Sequence, residues 1–441
     1  MAFAIFVLIN AILFLRPAEL LPIEGWPLYE IAMIACLLFT NLAVANQLST
    51  SRLAENPITV CLIGLVIAIV LSLLSHAGIA LAFAAGYEFL KVVVYYLMLI
   101  AVIDNVSRLE TFLTSVLWIL VGVALFPLLQ MSGVTHFAIE ASQEEIAFDA
   151  LGQIKMVHRL QSVGLDPNDL AMLTATGLLL CLWRISIATT RINRCFWLLP
   201  SGLLFYVLLH TQSRGGLLCL IGGSLVLMHA YCGVRKTSIV ALAAGLALVL
   251  GLGGRMTDVS ALESGTGQSR LQMWSAGLAM LRQEPLFGVG YGTYEDYAGE
   301  VAHNSFVHCF AELGLFGGSL FLGAFAAAAW MLANASSATA AIAEDDAEEV
   351  NEDDTRLGQL RPFLLAVVVA YIVGMFSLSR SYVVPTYMIL GLSAAWLRLA
   401  GSRFVFFQFS FDRYFLRRLA VVDTVFLLGT YGFVQLFIRW Y

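Results

Sequence analysis

The sequence predicts an all-α protein that crosses a membrane many times, as a polytopic bundle of transmembrane helices. Of its 441 residues, 60% are hydrophobic and only 12% are charged, whereas about 25% of residues are charged in an average soluble domain. Several stretches also lack a charged side chain for about 18 residues or more, which is enough for a helix to cross a bilayer. Examples are 111–139, 237–254, 313–343 and 362–379. A single water-soluble core is therefore excluded.

Charged residues and Pro/Gly-rich breaks divide the chain into apolar segments, and we expect about 12–14 membrane spans. The apolar N-terminus lacks the basic start and the cleavage site of a removable signal peptide, so we expect it to remain as the first span. The segments lie near 1–16, 27–46, 57–75, 80–103, 109–131, 169–188, 195–211, 215–234, 237–253, 304–333, 362–378, 383–399 and 419–438.

The basic residues indicate the direction of the spans. With the N-terminus in the cytoplasm, most of the 24 Lys and Arg residues lie on the cytoplasmic side, as the positive-inside bias requires. The acidic run AEDDAEEVNEDD then lies inside and is predicted to be a solvated linker. The chain divides into N-terminal spans (1–131), an outer loop (132–168), central spans (169–253), a second outer loop (254–303), and C-terminal spans (304–441) with the acidic cytoplasmic loop near 343–357.

Composition also limits the partners and ligands. The scattered basic residues form no strip that could follow phosphates, so nucleic acid is not an expected partner. The seven cysteines lie in or beside apolar segments without a CxxC pair; we expect small buried hydrophobes, with no disulfide and no zinc. No cluster of acidic residues resembles a metal site, although Glu19 and Glu24 in the first outer connection leave that alternative open.

Three predicted helices begin at the outer face, and each start carries polar residues. Asp, Asn and Ser are common N-caps, so capping alone explains them. Arginine at a helix N-terminus opposes the helix dipole, so Arg159, Arg214 and Arg270 need another partner. They bind either an anion such as phosphate or lipid headgroups and loop carboxylates. The three starts read Asp166-Pro167-Asn168-Asp169, Gln212-Ser213-Arg214-Gly215-Gly216 and His303-Asn304-Ser305.

The second outer loop has features of its own. Apolar residues at helical spacing predict a short amphipathic helix over 270–282 that begins at Arg270. The glycines of FGVGYGTY are predicted to form turns, because no strand precedes them as in a nucleotide-binding loop. Tyr291 among them fits either a sugar site or the aromatic belt of a membrane interface. Farther on, His308 and Glu312 have the i,i+4 spacing of a helical pair, which favours a structural role for Glu312.

The segment HNSFVHCFAELGLFG, with His303, Asn304, Gly314 and Gly317, resembles the signature of the O-antigen ligase and O-antigen polymerase superfamily. Three further segments resemble conserved regions of that family in the expected order. They are QSRGG (212–216), SRLQMW (269–274) and PLFGVGYGTYED (285–296). The resemblance covers roughly residues 150–330.

The resemblance implies a helical glycosyltransferase of the C type in the bacterial inner membrane, working at the periplasmic face without a cofactor or metal. Its donor would be an oligosaccharide on undecaprenyl pyrophosphate. The acceptor would be a second lipid-linked glycan in a polymerase, and lipid A core or, in related branches, a protein hydroxyl in a ligase. The modest outer loops favour a polymerase. Membrane lipids and other polysaccharide export proteins would be its further partners.

The resemblance also assigns roles to individual residues. His303 would be the essential histidine, and Arg214 and Arg270 would bind the pyrophosphate. Arg159, just before the helix capped at Asp166, would be a further member of that site. Asn304, Glu312 and Tyr291 would be supporting residues, and Gly314 and Gly317 packing residues. A neutral imidazole can take a proton from the acceptor hydroxyl while arginines stabilise the leaving group.

A flippase or permease for lipid-linked sugars is the alternative from another class. It would need charged residues along a path through the membrane, and these are scarce; the candidates are Glu88, Lys91 and Asp423.

Overall fold

The computed structural model describes residues 1–20, 26–134, 142–148, 154–249, 266–345, 352–401 and 411–438. Within these ranges the chain is a helical bundle with one two-stranded hairpin. The helices before the hairpin are α1 (Ala2–Leu15), α2 (Pro17–Leu20), α3 (Leu28–Gln47), α4 (Thr50–Glu55), α5 (Pro57–Leu74), α6 (Ile79–Val102) and α7 (Val106–Met131). Those after it are α8 (Pro167–Ile187), α9 (Arg191–His210), α10 (Arg214–Val249), α11 (Thr266–Gln283), α12 (Tyr294–Ala298), α13 (Ser305–Asp345), α14 (Glu352–Met375), α15 (Val384–Gly401) and α16 (Arg413–Phe437).

The all-α polytopic fold is confirmed. Ten helices in the described ranges are long and apolar enough to cross a membrane: α3, α5, α6, α7, α8, α9, α10, α13, α14 and α16. The shorter apolar helix α1 and the helix α15 account for two more of the predicted segments. The predicted spans near 215–234 and 237–253 lie on a single element, α10, which is broken at Gly233 (φ 79°, ψ 169°).

The first outer loop of the sequence contains a hairpin that the sequence analysis did not predict. Strand β1 (Ser142–Phe148) pairs antiparallel with β2 (Ile154–Leu160), and Gln143 lies opposite Arg159. The alternation at the start of β2, with Lys155 between Ile154 and Met156, has the two-residue period of a strand. Leu160 at the end of β2 is buried in the main core, so the hairpin holds Arg159 against the bundle.

The signature glycine Gly314 divides α13 into two helices. Its backbone (φ 64°, ψ −164°) is non-helical, and a Cβ there would lie 2.4 Å from the carbonyl oxygen of Leu286. The segment 285–290 fills the break: Leu315 N–H donates to Pro285 O at 2.8 Å, and Val289 N–H donates to Ala311 O at 3.0 Å. The backbones approach too closely for any side chain at Gly314, so only glycine fits.

The loop glycines form turns, as predicted. Gly288, Gly290 and Gly292 all have positive φ, at 71°, 120° and 76°. A Cβ on Gly288 would lie 2.3 Å from the backbone of Glu312, so this residue faces the break in α13. Gly317 packs on α5, because a Cβ there would lie 3.0 Å from Ala68 Cβ.

The helix of the second outer loop starts earlier than predicted. It begins at Thr266 and ends at Gln283, so Arg270 lies in its second turn. Leu271 and Leu281 are buried, and α11 packs against α13 and α16. The prediction that Arg270 begins the helix was wrong because 266–269 is polar and adds nothing to the apolar period from which the start was inferred.

Some smaller expectations have mixed outcomes. Five cysteines are buried, but Cys195 and Cys232 are exposed, because they lie on outward faces of α9 and α10. Glu19 pairs with Arg16 at 2.8 Å, and Glu24 lies outside the described ranges. The acidic run is helical at both ends, since α13 extends to Asp345 and α14 begins at Glu352; 346–351 are not described.

Candidate functional site

The N-terminus of α8 is fixed by two aspartates and an arginine from a distant part of the chain. Asp166 caps the helix, because its Oδ1 accepts the N–H groups of Asn168 and Asp169 at 2.7 and 2.9 Å. Arg380, in the loop between α14 and α15, donates to both carboxylate oxygens of Asp169 at 2.6 Å and to Asp166 Oδ2 at 2.8 Å. Charge-assisted, bidentate contacts of this kind are strong. Arg380 therefore anchors its loop to α8.

The N-terminus of α10 lies beside that of α8. Asn168 Oδ1 accepts hydrogen bonds from Ser213 Oγ and from Arg159 Nη2, both at 2.8 Å. Arg159 Nε also donates to the carbonyl oxygen of Thr211 at 3.0 Å. Arg214 is the first residue of α10. These contacts therefore bring Arg159, at the end of β2, to the helix start that carries Arg214.

The loop 376–383 joins three helix starts. At α10, a Cβ on Gly215 would lie 2.2 Å from Ser377 Oγ. At α13, Ser305 Oγ donates to Leu378 O at 2.6 Å and accepts the N–H of Arg380 at 2.9 Å. The same arginine contacts α8. The N-termini of α8, α10 and α13, with the positive ends of their dipoles, therefore converge around this loop.

His303 and Asn304 form the start of α13. Asn304 is fully buried and caps the helix, because its Oδ1 accepts the N–H groups of Phe306 and Val307 at 3.1 and 3.2 Å. His303 has a φ of 48°, in the left-handed region that residues other than glycine rarely adopt. Backbone strain of this kind costs about 1–3 kcal/mol and is concentrated at functional sites.

The surroundings of His303 keep its imidazole neutral. Burial lowers its pKa, and the positive charge of Arg270 lowers it further. Glu300 and Asp166 oppose this by raising the pKa, and Arg380 makes a smaller lowering contribution. A histidine with a pKa below its ordinary value is unprotonated at pH 7, which is the form that can accept a proton. The charges of Arg270 and Arg380 therefore act on His303 in the same direction as burial.

A second polar cluster lies farther along α13, and we call Tyr291, Tyr294, His308, Glu312 and Tyr382 the Glu312 cluster. Glu312 is 1% exposed. Its Oε1 lies 3.1 Å from His308 Nε2 and accepts the N–H of Tyr294 at 3.1 Å, and its Oε2 accepts the Tyr382 hydroxyl at 3.0 Å. The His308 ring stacks on Tyr294, with centroids 4.9 Å apart. Tyr291 packs edge-on against Tyr382 at 4.7 Å.

The Glu312 cluster is a buried network in which both carboxylate oxygens of Glu312 have partners, whereas His308 Nδ1 has none among the described residues. His308 and Glu312 form the i,i+4 pair that their spacing predicts. Burial, and next the charge of Glu312, raise the pKa of Tyr291 to about 12, so its phenol stays protonated at physiological pH. Because a buried carboxylate with three donors is stable where it is, these contacts are consistent with the structural role that the i,i+4 spacing predicts for Glu312.

The structure therefore brings the predicted site residues into two groups. His303 and Arg270 interact, and Arg159 reaches the start of α10, where Arg214 lies. Asn304 caps the helix next to His303, whereas Glu312 and Tyr291 belong to the Glu312 cluster. In the portion of the chain that the structure covers, no group of three or more His, Cys, Asp or Glu side chains could hold a metal ion.

Arg380 was missed by the sequence analysis. The sequence contained one weak indication of its contacts. The predicted topology puts Arg380, Asp166 and Asp169 on the same face of the membrane, where opposite charges can pair. Their separation of more than two hundred residues gives no spacing rule from which the contact could be inferred.

Fold and site together define a multi-pass membrane protein with basic side chains and helix N-termini gathered at one end of its bundle. The model of the O-antigen ligase family matches residues 199–322. This match confirms the resemblance to the O-antigen ligase and polymerase superfamily, and it supports glycan transfer of that general type. The matched segment contains Arg214, Arg270 and His303, whereas Arg159 and Arg380 lie outside it. No curated protein matches the chain.

Proposed function

We propose that this protein is a polysaccharide polymerase of the bacterial inner membrane. It transfers a glycan from undecaprenyl pyrophosphate onto an acceptor sugar of a second lipid-linked glycan, at the periplasmic face. The observation that carries the proposal is the position of His303: a strained histidine directly before α13, where three helix N-termini meet, with a pKa lowered by burial and by the charge of Arg270. This arrangement supplies a base and an anion site side by side.

The arginines and helix N-termini suit the leaving group. As the bond between the anomeric carbon and the pyrophosphate oxygen breaks, negative charge develops on that oxygen. Guanidinium groups match phosphate oxygens in pairs, and backbone N–H groups at helix N-termini add further donors. Arg159, Arg214 and Arg270 take this role, and Arg380, held by Asp166 and Asp169, positions the helix starts around them.

His303 serves the acceptor. Its neutral imidazole takes the proton of the attacking hydroxyl as the new glycosidic bond forms, and the proton later passes to water. The products are the lengthened lipid-linked glycan and undecaprenyl pyrophosphate. Because the leaving group is weakly basic, it departs without a general acid, so one base is enough for the reaction.

An O-antigen ligase, with lipid A core as the acceptor, is the second candidate from the same family. The purified protein, supplied with lipid-linked donor alone, distinguishes the two. A ladder of lengthened products is expected for a polymerase. If no ladder forms and transfer begins only when lipid A core is added, the protein is a ligase and the polymerase proposal is wrong.

A transporter of lipid-linked sugars receives little support. Two of its candidate charges, Glu88 and Lys91, pair with each other at 2.8 Å on an exposed part of α6. Neither lines a buried path with Asp423, which lies on α16, and α6 and α16 are not among the helix pairs that pack extensively in the structured ranges.

The periplasmic position of the site can be tested with native cysteines. Cys195 and Cys232 are exposed and belong to the predicted cytoplasmic side, whereas Tyr297, 57% exposed, belongs to the predicted periplasmic side. In spheroplasts, a membrane-impermeant maleimide should label Tyr297→Cys but not the unmodified protein. In inverted vesicles, the unmodified protein should be labelled. The reverse pattern would place the site in the cytoplasm and exclude a periplasmic reaction.

A further inference from the structure

The side-chain amide of Asn304 makes hydrogen bonds through its oxygen but not through its nitrogen. Its Oδ1 accepts two backbone N–H groups of α13. Its Nδ2 has no hydrogen-bond partner among the residues that the structure describes, although the residue is 0% exposed. A buried polar group without a partner costs about 1–3 kcal/mol, so an N–H donor in this condition needs an explanation.

Helix capping does not require this amide. Aspartate and serine cap helices as well as asparagine does, and they need only an oxygen. Aspartate would also interact favourably with the dipole of α13. Asparagine is therefore not the residue that stability alone favours at this helix start, and its extra feature is the unpaired N–H₂ group.

Two neighbouring hydroxyl groups are hydrogen-bonded, whereas a third, Ser379 Oγ, is buried without a partner among the described residues. Ser305 Oγ bonds both Leu378 O and the N–H of Arg380, and Ser381 Oγ donates to Ser305 O at 2.9 Å. Nδ2 belongs to the same planar amide as the capping Oδ1, so it also lies at the N-terminus of α13, one residue from His303. The unpaired donor is therefore part of the site in which base and arginines meet.

We propose that Asn304 Nδ2 is a substrate-contacting donor, which hydrogen-bonds an oxygen of the bound lipid-linked glycan. The acceptor atom is either a phosphate oxygen of the pyrophosphate or a hydroxyl oxygen of a sugar. Both have free lone pairs, and both lie within the chemistry proposed for His303 and the arginines. The inference rests on the proposed function. It extends that function to Asn304, whose contacts within the protein are only those of a helix N-cap.

Two substitutions separate the donor from the cap. Asn304→Ser and Asn304→Asp both keep a capping oxygen and remove the N–H₂ group, and serine does so without adding charge. The melting temperature in detergent should stay close to that of the wild type. The KM for lipid-linked glycan should rise roughly three- to tenfold, the scale of one neutral hydrogen bond. Kinetic constants are calculated per folded molecule, with the folded fraction taken from size-exclusion chromatography. A variant that is only less stable then keeps the wild-type constants.

Binding of undecaprenyl pyrophosphate, which has the phosphates but no sugar, identifies the contacted oxygen. Weaker binding to Asn304→Ser indicates a phosphate oxygen, and unchanged binding with a raised KM indicates a sugar hydroxyl. If Asn304→Ser keeps the wild-type KM and affinity, Nδ2 contacts only water and the inference is wrong. The inference is also wrong if only Asn304→Asp has a raised KM, because the added negative charge would then be the cause. If the wild type itself binds neither ligand, the proposed function fails instead.

Discussion

Two histidines, His303 and His308, lie five residues apart at the start of α13, in different surroundings. His308 is buried, pairs with Glu312 at 3.1 Å and stacks on Tyr294. His303 is only partly buried, has a left-handed backbone, and interacts with arginines and carboxylates from several segments. One side chain is held by its partners within the protein, whereas the other faces charges that suit a ligand.

This difference shows how burial and partners, more than residue type, separate the two roles. A buried imidazole that is held by a carboxylate and a stacked ring cannot move toward a substrate without losing both contacts. A partly exposed imidazole, with a pKa lowered by burial and by Arg270, is ready to accept a proton. The comparison supports the proposal that His303 is the base and that His308 is a structural residue, and each of the following substitutions tests one side of it.

The largest effect is expected for His303→Asn. Asparagine tolerates the left-handed backbone better than most residues, so the variant should fold and melt at or slightly above the wild-type temperature. Because asparagine cannot act as a base, turnover should fall by about 10² or more. The measurement is chain lengthening of lipid-linked donor, with the melting temperature followed in parallel. Wild-type turnover in a stable His303→Asn protein would remove His303 from the mechanism.

A smaller loss is expected for Arg270→Lys. Lysine keeps the charge but lacks the planar fork that matches phosphate oxygens, so turnover should fall roughly tenfold, the equivalent of about 1.4 kcal/mol of transition-state stabilisation. Arg282 provides the matched control, because it lies on the same helix α11 and is exposed. Arg282→Lys should turn over like the wild type. Equal rates in all three proteins would indicate that Arg270 contacts only the surface or lipid headgroups.

On the other side of the comparison, His308→Ala should affect stability instead of turnover. The substitution removes one donor from Glu312 and the ring that stacks on Tyr294, which should cost about 1–3 kcal/mol of folding free energy. The melting temperature in detergent should fall, and turnover per folded molecule should stay within a fewfold range of the wild type. Loss of transfer at an unchanged melting temperature would reverse the roles of the two histidines.

Much of the fold follows from the sequence, because apolar length alone identifies a membrane helix. The thirteen predicted segments fall on helices, although two of them share α10. The hairpin β1–β2 escaped prediction because the consecutive polar residues Gln143, Glu144 and Glu145 break the two-residue period of β1, and the alternation at the start of β2 is too short to be specific. The start of α11 escaped because a polar first turn leaves no periodic signal.

The sequence predicted individual residues of the site but not the contacts that bring them together. The arginines stood out because their charge opposes a helix N-terminus, and His303 stood out through its motif. The contacts of Arg380 with Asp166 and Asp169 join regions far apart in sequence and depend on how the helices pack. The docking of 285–290 into the break at Gly314 likewise depends on two backbones meeting in space.

The smallest effect is expected for Glu300→Gln, and it concerns pH. The negative charge of exposed Glu300 raises the pKa of His303, against the lowering by burial and Arg270. Removing that charge should lower the pKa further, so a smaller fraction of His303 is protonated at any acidic pH. Since the protonated form is inactive as a base, the acidic limb of kcat/KM should move to lower pH, while the plateau above pH 7 stays unchanged. The shift should be small because solvent and salt screen an exposed charge.

Asp166→Asn removes another charge that raises this pKa but also weakens the contacts of Arg380, so Glu300→Gln gives the cleaner measurement. His308→Ala serves as the control and should leave the limb in place. A limb that moves with His308→Ala and not with Glu300→Gln would identify His308 as the titrating group.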